Sequence, residues 1–122
     1  MSTELVLEAE RVAENAYAPY SRYRVGAVVR ARDGREFAGV NVENAAYPLG
    51  ICAERSAIAA AVSAGLRPGD LEAIGITAAP CGGCRQWLHE FRIEQVSYRD
   101  ERGELHTTTA TALLPGAWTL PG

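Results

Sequence analysis

The sequence predicts an α/β fold: a three-layer α-β-α sandwich around a mixed five-stranded sheet. Helical and extended segments follow one another in the order α, β, β, α, β, α, β, β, which favours helices layered against a sheet. A hairpin signal makes part of that sheet antiparallel, and the later strand–helix–strand passages make part of it parallel, with right-handed crossovers. A chain of 122 residues fits one domain, residues 1–122.

The first half of the chain holds a helix, a hairpin and a second helix. Apolar residues at helical spacing predict a helix over residues 3–16, which breaks at Pro19. Two β-rich runs, YRVGAVVRA and REFAGVNV, flank the hairpin signal Asp33-Gly34. An alanine-rich helix is predicted from Ala53 to Ala64, with Gly65 as its C-terminal cap.

The second half begins with LEAIGITA, which is typical of a buried strand. A helix is predicted from Cys81 to Phe91, and EQVSYRD and ELHTTTA are predicted as strands around a charged turn at Glu101 to Gly103. The tail ALLPGAWTLPG is apolar and ends in loop signals.

Composition excludes several classes of function. The chain is 48% hydrophobic and 22% charged, which is typical of a globular protein rather than a disordered one. Its net charge of −3 argues against nucleic acid as a partner, and no run approaches 18 apolar residues, so no membrane partner is expected. The acidic, amphipathic N-terminus is unlike a signal peptide, and we expect a cytoplasmic protein.

Three cysteines are an odd number, which argues against a complete disulfide framework. PCGGCRQ contains Cys81 and Cys84, and by itself it fits a redox pair, half of a zinc site or a turn. Cys52 lies upstream in CAER. Both motifs fall at predicted helix starts, where unpaired N–H groups and the helix dipole favour a thiolate.

Cys81 and Cys84 are three residues apart, so on a helix they share a face and can bind one ion. Cys52 can reach the same ion if the two helix starts lie side by side. Three thiolates make a zinc site with one open position. Closing it would require His89, whose spacing from Cys84 matches no zinc finger, or His106, which lies in a strand pattern after a turn. Such residues are more often surface or packing histidines.

Glu54 follows Cys52 by two residues, in the first turn of the predicted helix. A carboxylate beside an open zinc position can take a proton from water and deliver it to a substrate. The alternative is that Glu54 only complements the helix dipole. The combination CxE…PCxxC is the zinc-deaminase pattern, with cysteine in place of the common histidine.

NVENAAYPLGICAERSAIAAAVSAG followed by PCGGCRQWLHEF resembles cytidine deaminase of the small, homotetrameric, three-cysteine type. AYAPYSRYRVGAVV, DGREFAGVNVENA and LLPGAW match other stretches of that family in the same order. The likeness runs from about residue 8 to residue 118, and it implies a cytidine deaminase-like fold. In one place the chain departs from the family: only Ala78 and Ala79 separate AIGIT from Pro80, where the family often has a longer loop. That departure bears on substrate preference.

The resemblance implies a role for each of several residues in this chain. The zinc ligands would be Cys52, Cys81 and Cys84, the proton shuttle would be Glu54, and the residue that hydrogen-bonds ligand sulfur and offsets its charge would be Arg55. Substrate-binding residues would be Asn41 and Glu43 at the ribose hydroxyls and Tyr23 against the pyrimidine, with Trp118 and, on weaker grounds, Tyr47 at a neighbouring subunit's site.

Each role has a structural alternative. Asn41 and Glu43 could be ordinary residues leaving a strand, although residues two apart on a strand do share one face. Tyr23 could be a core aromatic, and Trp118 could cover the core of its own subunit. Arg85 is ambiguous between a part of the charge balance and a surface residue.

The implied activity is zinc-dependent hydrolytic deamination of cytidine and 2′-deoxycytidine to the uridines, with release of ammonia, in pyrimidine salvage. The implied assembly is a homotetramer with shared active sites. Alternatives are a deaminase of another small nucleoside such as blasticidin S, against which NVEN argues, and a non-enzymatic zinc or redox module, which leaves Cys52-Ala-Glu54 unexplained.

Overall fold

The computed structural model describes residues 2–121. Within that range lie four α-helices and five strands. The helices are α1 Thr3–Val12, α2 Ala53–Ser63, α3 Gly82–Glu90 and α4 Ala110–Leu113, and the strands are β1 Gly26–Ala31, β2 Glu36–Val40, β3 Leu71–Ile76, β4 Gln95–Arg99 and β5 Leu105–Thr108.

The five strands form one mixed sheet in the order β2-β1-β3-β4-β5. Strand β1 is antiparallel to both β2 and β3, and β4 is antiparallel to β5. The pair β3 and β4 is parallel, with Ile74 opposite Val96, and helix α3 makes the crossover between them. The predicted mixed five-stranded sheet is confirmed.

Helices cover both faces of this sheet. Successive strand residues point to opposite faces, so Val28 faces α1 together with Leu5 and Ala9, whereas Val29 faces the core shared with α2 and α3. Leu88 of α3 is completely buried in that second core. The three-layer α-β-α arrangement predicted from the sequence is therefore confirmed.

Two glycines allow helices to lie unusually close to the sheet. A Cβ atom on Gly39 of β2 would stand 2.3 Å from the backbone nitrogen of Ala57 in α2. A Cβ atom on Gly75 of β3 would stand 2.4 Å from the backbone nitrogen of Val6 in α1. Because only glycine fits at Gly39, helix α2 is held closely against the sheet.

The C-terminal end of α2 lies where the local sequence predicted it. Helix α2 ends in a Schellman motif: Gly65 has φ of 100°, its N–H donates to the carbonyl of Val62 at 2.9 Å, and the N–H of Leu66 donates to the carbonyl of Ala61 at 3.1 Å. The predicted cap at Gly65 is therefore confirmed.

Other boundaries differ from prediction. The first helix is α-helical only to Val12, and its predicted end is a 3₁₀ turn over Ala13–Asn15. Helix α4 takes in the last residue of the predicted strand ELHTTTA and the first two residues of the tail, because the hydroxyl of Thr109 accepts the N–H of Ala112 at 3.0 Å and caps the helix. No helix in residues 2–121 is long and apolar enough to cross a membrane.

Candidate active site

The three cysteines meet at the start of two helices. Cys52 is the N-cap residue of α2 and Cys81 is the N-cap residue of α3, while Cys84 lies in the first turn of α3. Their Sγ atoms all lie within 4.8 Å of one another. The two sequence motifs are thus neighbours in space, as expected if the two helix starts lie side by side.

The thiols have different tendencies to ionise. Burial, together with nearby negative charge, raises the pKa of Cys84 and of Cys52. Burial also opposes ionisation of Cys81, but hydrogen bonds to its sulfur, among them from the backbone N–H groups of Cys84 and Gly83, lower its pKa. Three crowded sulfurs can all be thiolates only with a cation among them, so this donor set fits a bound zinc ion.

Glu54 is a buried acid beside the thiols. Its side chain is only 4% exposed, and burial raises the pKa of its carboxyl group. It lies in the first turn of α2 and lines the same cleft as all three cysteines. Burial beside three thiols makes this carboxyl group hold a proton more readily than an exposed one does, which a role as a complement to the helix dipole alone does not explain.

Arg55 brings positive charge to the thiols. Burial works against its charged form, but a hydrogen bond to the Cys84 sulfur and the charges of all three thiols raise its pKa. Its guanidinium group packs on α3, where a Cβ atom on Gly83 would stand 2.3 Å from Nη2. Its Nε is buried without a hydrogen-bond partner among the described atoms.

Arg85 has a role that the sequence did not show. Its Nε donates to the carbonyl of Pro80 at 2.9 Å and its Nη1 donates to the carbonyl of Leu113 at 3.1 Å. The side chain thus ties the turn before Cys81 to helix α4. Neither an ion pair with a surface acid nor a bond to sulfur is found for it within residues 2–121.

A cleft of about 330 Å³ joins the thiols to the segment after β2. Ala78 and Ala79, the short connection before Pro80, form part of its wall. Its polar and aromatic lining comprises Tyr23, Asn41, Glu43, Asn44, Tyr47, Cys52, Glu54, Cys81 and Cys84. The structure therefore brings nearly all of the predicted site residues into one cavity.

Asn41 and Glu43 lie just beyond β2, in extended chain. Asn41 Oδ1 accepts the N–H of Val25 and its Nδ2 donates to the carbonyl of Tyr23, both at 2.8 Å. Glu43 Oε1 accepts the N–H groups of Tyr20 at 2.9 Å and Ser21 at 3.1 Å. These two side chains hold the segment that carries Tyr23, which the residue spacing alone could not reveal.

Tyr23 lines the cleft and is 61% exposed, so the alternative of a core aromatic is excluded. Trp118 does not line the cleft of its own chain: it is 69% exposed, and its carbonyl accepts a hydrogen bond from Gln86 at 3.0 Å. Its role at a neighbour's site stays a prediction.

Neither histidine joins the thiols. His89 hydrogen-bonds the hydroxyl of Thr119 at 3.0 Å, and His106 contacts the carboxylate of Asp100 at 2.7 Å. Within residues 2–121 the thiol cluster contains only the three cysteines, so its fourth position is left for water or substrate.

Three cysteines at two helix starts, with a buried glutamate beside them, match the arrangement of the zinc-dependent deaminases. Comparison with known proteins specifies the family. The sequence profile described as "Cytidine and deoxycytidylate deaminase zinc-binding region" matches residues 1–99. The chain belongs to this family of zinc-dependent enzymes.

Individual cytidine deaminases are similar in sequence to this chain over almost its whole length. A cytidine deaminase from Sporosarcina psychrophila is 40% identical, with 94% of this chain and 89% of the relative covered. Another, from Halalkalibacterium halodurans, is 42% identical, with 94% and 92% covered.

A crystal structure of cytidine deaminase from Burkholderia pseudomallei matches with a TM-score of 0.89 at 41% identity, covering 97% of this chain and 99% of the other. The crystal structure of the Mycobacterium tuberculosis cytidine deaminase gives a TM-score of 0.82 at 35% identity, covering 97% of each chain.

Proposed function

We propose that this chain catalyses the hydrolytic deamination of cytidine and 2′-deoxycytidine to uridine and 2′-deoxyuridine, with release of ammonia. One observation carries the proposal: the three thiols, the buried Glu54 and the polar pair Asn41 and Glu43 all line a single cleft. A metal centre, a proton carrier and partners for a sugar therefore share the space that a nucleoside would occupy.

Cys52, Cys81 and Cys84 would hold the zinc ion. When bound, zinc supplies the Lewis acidity that makes water nucleophilic near neutral pH. Three thiolates more than neutralise a divalent ion and weaken that acidity. Arg55 and the N-termini of α2 and α3 oppose this effect, because each places positive charge or partial positive charge at the sulfurs.

Glu54 would move the proton. It takes a proton from the attacking water and delivers it to ring nitrogen N3 as the bond between the water oxygen and C4 forms. It then takes the proton of the new C4 hydroxyl and passes it to the departing amino group, as the C4–N4 bond breaks and the C4 carbonyl forms, so that one water is consumed and one ammonia leaves. Burial raises its pKa, which suits a group that must both accept and release a proton.

The cleft would orient the nucleoside through its sugar and base. Asn41 and Glu43 would hydrogen-bond ribose hydroxyls, and Tyr23 would pack against the pyrimidine.

We also propose a homotetramer in which Trp118 reaches a neighbour's site. The same role for Tyr47 has weaker support. The large exposed fractions of these two side chains, 69% and 81%, are consistent with burial in such a contact, and sedimentation of the purified protein tests it. The cytoplasmic location and the place in pyrimidine salvage stay predictions.

The test is ultraviolet absorbance during incubation of zinc-loaded protein with cytidine, with blasticidin S assayed in parallel. We expect conversion of cytidine and none of blasticidin S. Glu54→Gln should retain zinc and fold while losing about 10²- to 10⁴-fold in kcat, the usual contribution of a positioned acid–base group. Zinc-bound wild-type protein that leaves cytidine unchanged would refute the proposal. If blasticidin S alone were converted, the protein would be a deaminase of that class of nucleoside instead.

A further inference from the structure

Glu43 is already engaged by its own chain before any substrate binds. An ionised carboxylate offers about four acceptor positions. Two of them, on Oε1, are taken by the N–H groups of Tyr20 and Ser21, and one, on Oε2, is taken by the hydroxyl of Ser21. Among the contacts within residues 2–121, a single acceptor position therefore remains, on Oε2, and Glu43 lines the cleft.

Ser21 links two residues that line the substrate cleft, Glu43 and Tyr23. Its hydroxyl donates to Glu43, and the same oxygen accepts the backbone N–H of Tyr23 at 3.0 Å. One small side chain thus links the acid that would bind the sugar to the aromatic that would contact the base. Between them Arg22 has φ of 61°, a left-handed conformation that a non-glycine residue rarely adopts and that surrounding contacts must maintain.

We infer that Ser21 is a positioning residue for the sugar: its hydroxyl fixes the Glu43 carboxylate so that Oε2 presents one acceptor to one substrate hydroxyl. This inference rests on the proposed function and deepens it. It also has a consequence for specificity. Because Glu43 has one position left, a sugar with one suitably placed hydroxyl satisfies it, and both ribose and 2′-deoxyribose are accepted.

The effect of Ser21 can be separated from a general loosening of the loop. The N–H groups of Tyr20 and Ser21 continue to hold Glu43 Oε1 if the serine hydroxyl is removed, and Asn41 continues to hold the backbone at Tyr23 and Val25. Loss of the hydroxyl therefore frees Oε2 to rotate away or bind water, while Tyr23 keeps most of its support. Ser21 is exposed, so a substitution there removes little packing.

The experiment measures kcat and KM on three substrates: cytidine, 2′-deoxycytidine, and 2′,3′-dideoxycytidine, which lacks both hydroxyls. The variants are Ser21→Ala, Ser21→Cys, which keeps the size with a weak donor, and Ser21→Thr, which keeps the hydroxyl. Ser63→Ala, at an exposed position at the end of α2, is the matched control. Zinc content and thermal unfolding are recorded for each.

We expect Ser21→Ala and Ser21→Cys to raise KM for cytidine and 2′-deoxycytidine about 5- to 20-fold with kcat within about twofold. The loosened Glu43 carboxylate must be ordered again when the sugar binds, and that cost falls on the bound ground state and the transition state alike. Both variants should match the wild type on 2′,3′-dideoxycytidine. Ser21→Thr should restore wild-type values on all three substrates.

Equal losses on all three substrates would assign Ser21 a merely structural role and overturn the inference, as would wild-type kinetics throughout. If Ser21→Ala does not fold, the contrast between Ser21→Cys and Ser21→Thr decides the question. Failure of the wild type itself to convert cytidine is a different outcome, because it removes the proposed function and the inference with it.

Discussion

Gly83→Ala tests whether Arg55 supports the metal site through its contact with α3. Gly82 and Gly83 are the first two residues of that helix, and neither has positive φ. A Cβ atom on Gly83 would stand 2.3 Å from Arg55 Nη2, whereas a Cβ atom on Gly82 meets nothing within 4 Å. Gly82→Ala is therefore a control that differs by one position along the chain.

The size of the effect follows from that distance. The contact is about 1.1 Å short of the 3.4 Å at which ordinary van der Waals contact begins, so the guanidinium group must retreat. A retreat of that size removes most of a hydrogen bond to charged sulfur, and such bonds contribute about 1.5–3 kcal/mol. Zinc affinity should therefore fall roughly 10- to 100-fold, the usual range for a partner that supports a metal ligand.

The assay is competition for zinc against a chromogenic chelator, together with thermal unfolding of the zinc-free proteins. Replacing either glycine by alanine should raise helix propensity by the same amount, about 0.5–1 kcal/mol. The free energy of unfolding of the zinc-free protein should therefore differ little between the two variants. Arg55→Gln alone should weaken zinc or activity while the fold is kept. In the double variant Gly83→Ala/Arg55→Gln the two losses should not add, because both act on one contact.

Wild-type zinc affinity in Gly83→Ala would show that Arg55 does not support the site through α3. Additive losses in the double variant would contradict the reasoning too, since they would mean that Gly83 acts by another route. An equal loss in Gly82→Ala would point to the helix start in general rather than to Arg55.

Three further predictions concern stability and pH. Gly75→Ala should lower the free energy of unfolding by about 1–3 kcal/mol, because its Cβ atom would meet the backbone of α1 at 2.4 Å; calorimetry checks this, and unchanged zinc affinity is expected. Arg85→Met should lower the free energy of unfolding by about 1–2 kcal/mol, because the hydrogen bonds to the carbonyls of Pro80 and Leu113 are lost. Arg102→Met, on the exposed turn between β4 and β5, is the control and should stay near the wild-type value. The Ser21 hydroxyl and the backbone N–H groups hold the pKa of Glu43 below its ordinary value of 4.5, so the contribution of Glu43 to stability is complete above pH 4.5 and is lost as pH falls through the lowered pKa. Ser21→Ala should move that loss to higher pH, and a pH series of unfolding midpoints that overlays the wild type would contradict it.

The fold was largely predictable because its signals are local. Asp33-Gly34 marks the hairpin and Gly65 marks the end of α2 within a few residues of sequence, and the crossover through α3 follows from the order of the elements. Helix α4 was missed because a run of threonines is typical of a strand, whereas Thr109 acts as a helix cap. That choice depends on how the chain turns after β5.

The metal centre was predictable for a related reason: two cysteine motifs at two helix starts must meet if the helices lie side by side on one sheet. The hydrogen bonds by which Asn41 and Glu43 hold the segment that carries Tyr23 were not predictable, because their partners lie 16 to 23 residues away in the sequence, in a strained segment. Arg85 was ambiguous for the same reason, since the carbonyl of Leu113 is 28 residues away.

The positions of the cysteines also affect the unfolded chain. Cys52 and Cys81 are 29 residues apart and cap two different helices, so an ion bound to both closes a long loop of chain. By the chain-entropy relation used for disulfide bonds, closing a loop of that length would cost the unfolded chain about 3.5 kcal/mol, whereas the fold already brings the two cysteines together, so the ion binds the folded chain in preference. The metal centre is thus a reversible cross-link between α2 and α3, and the unfolding midpoint should rise with the concentration of free zinc.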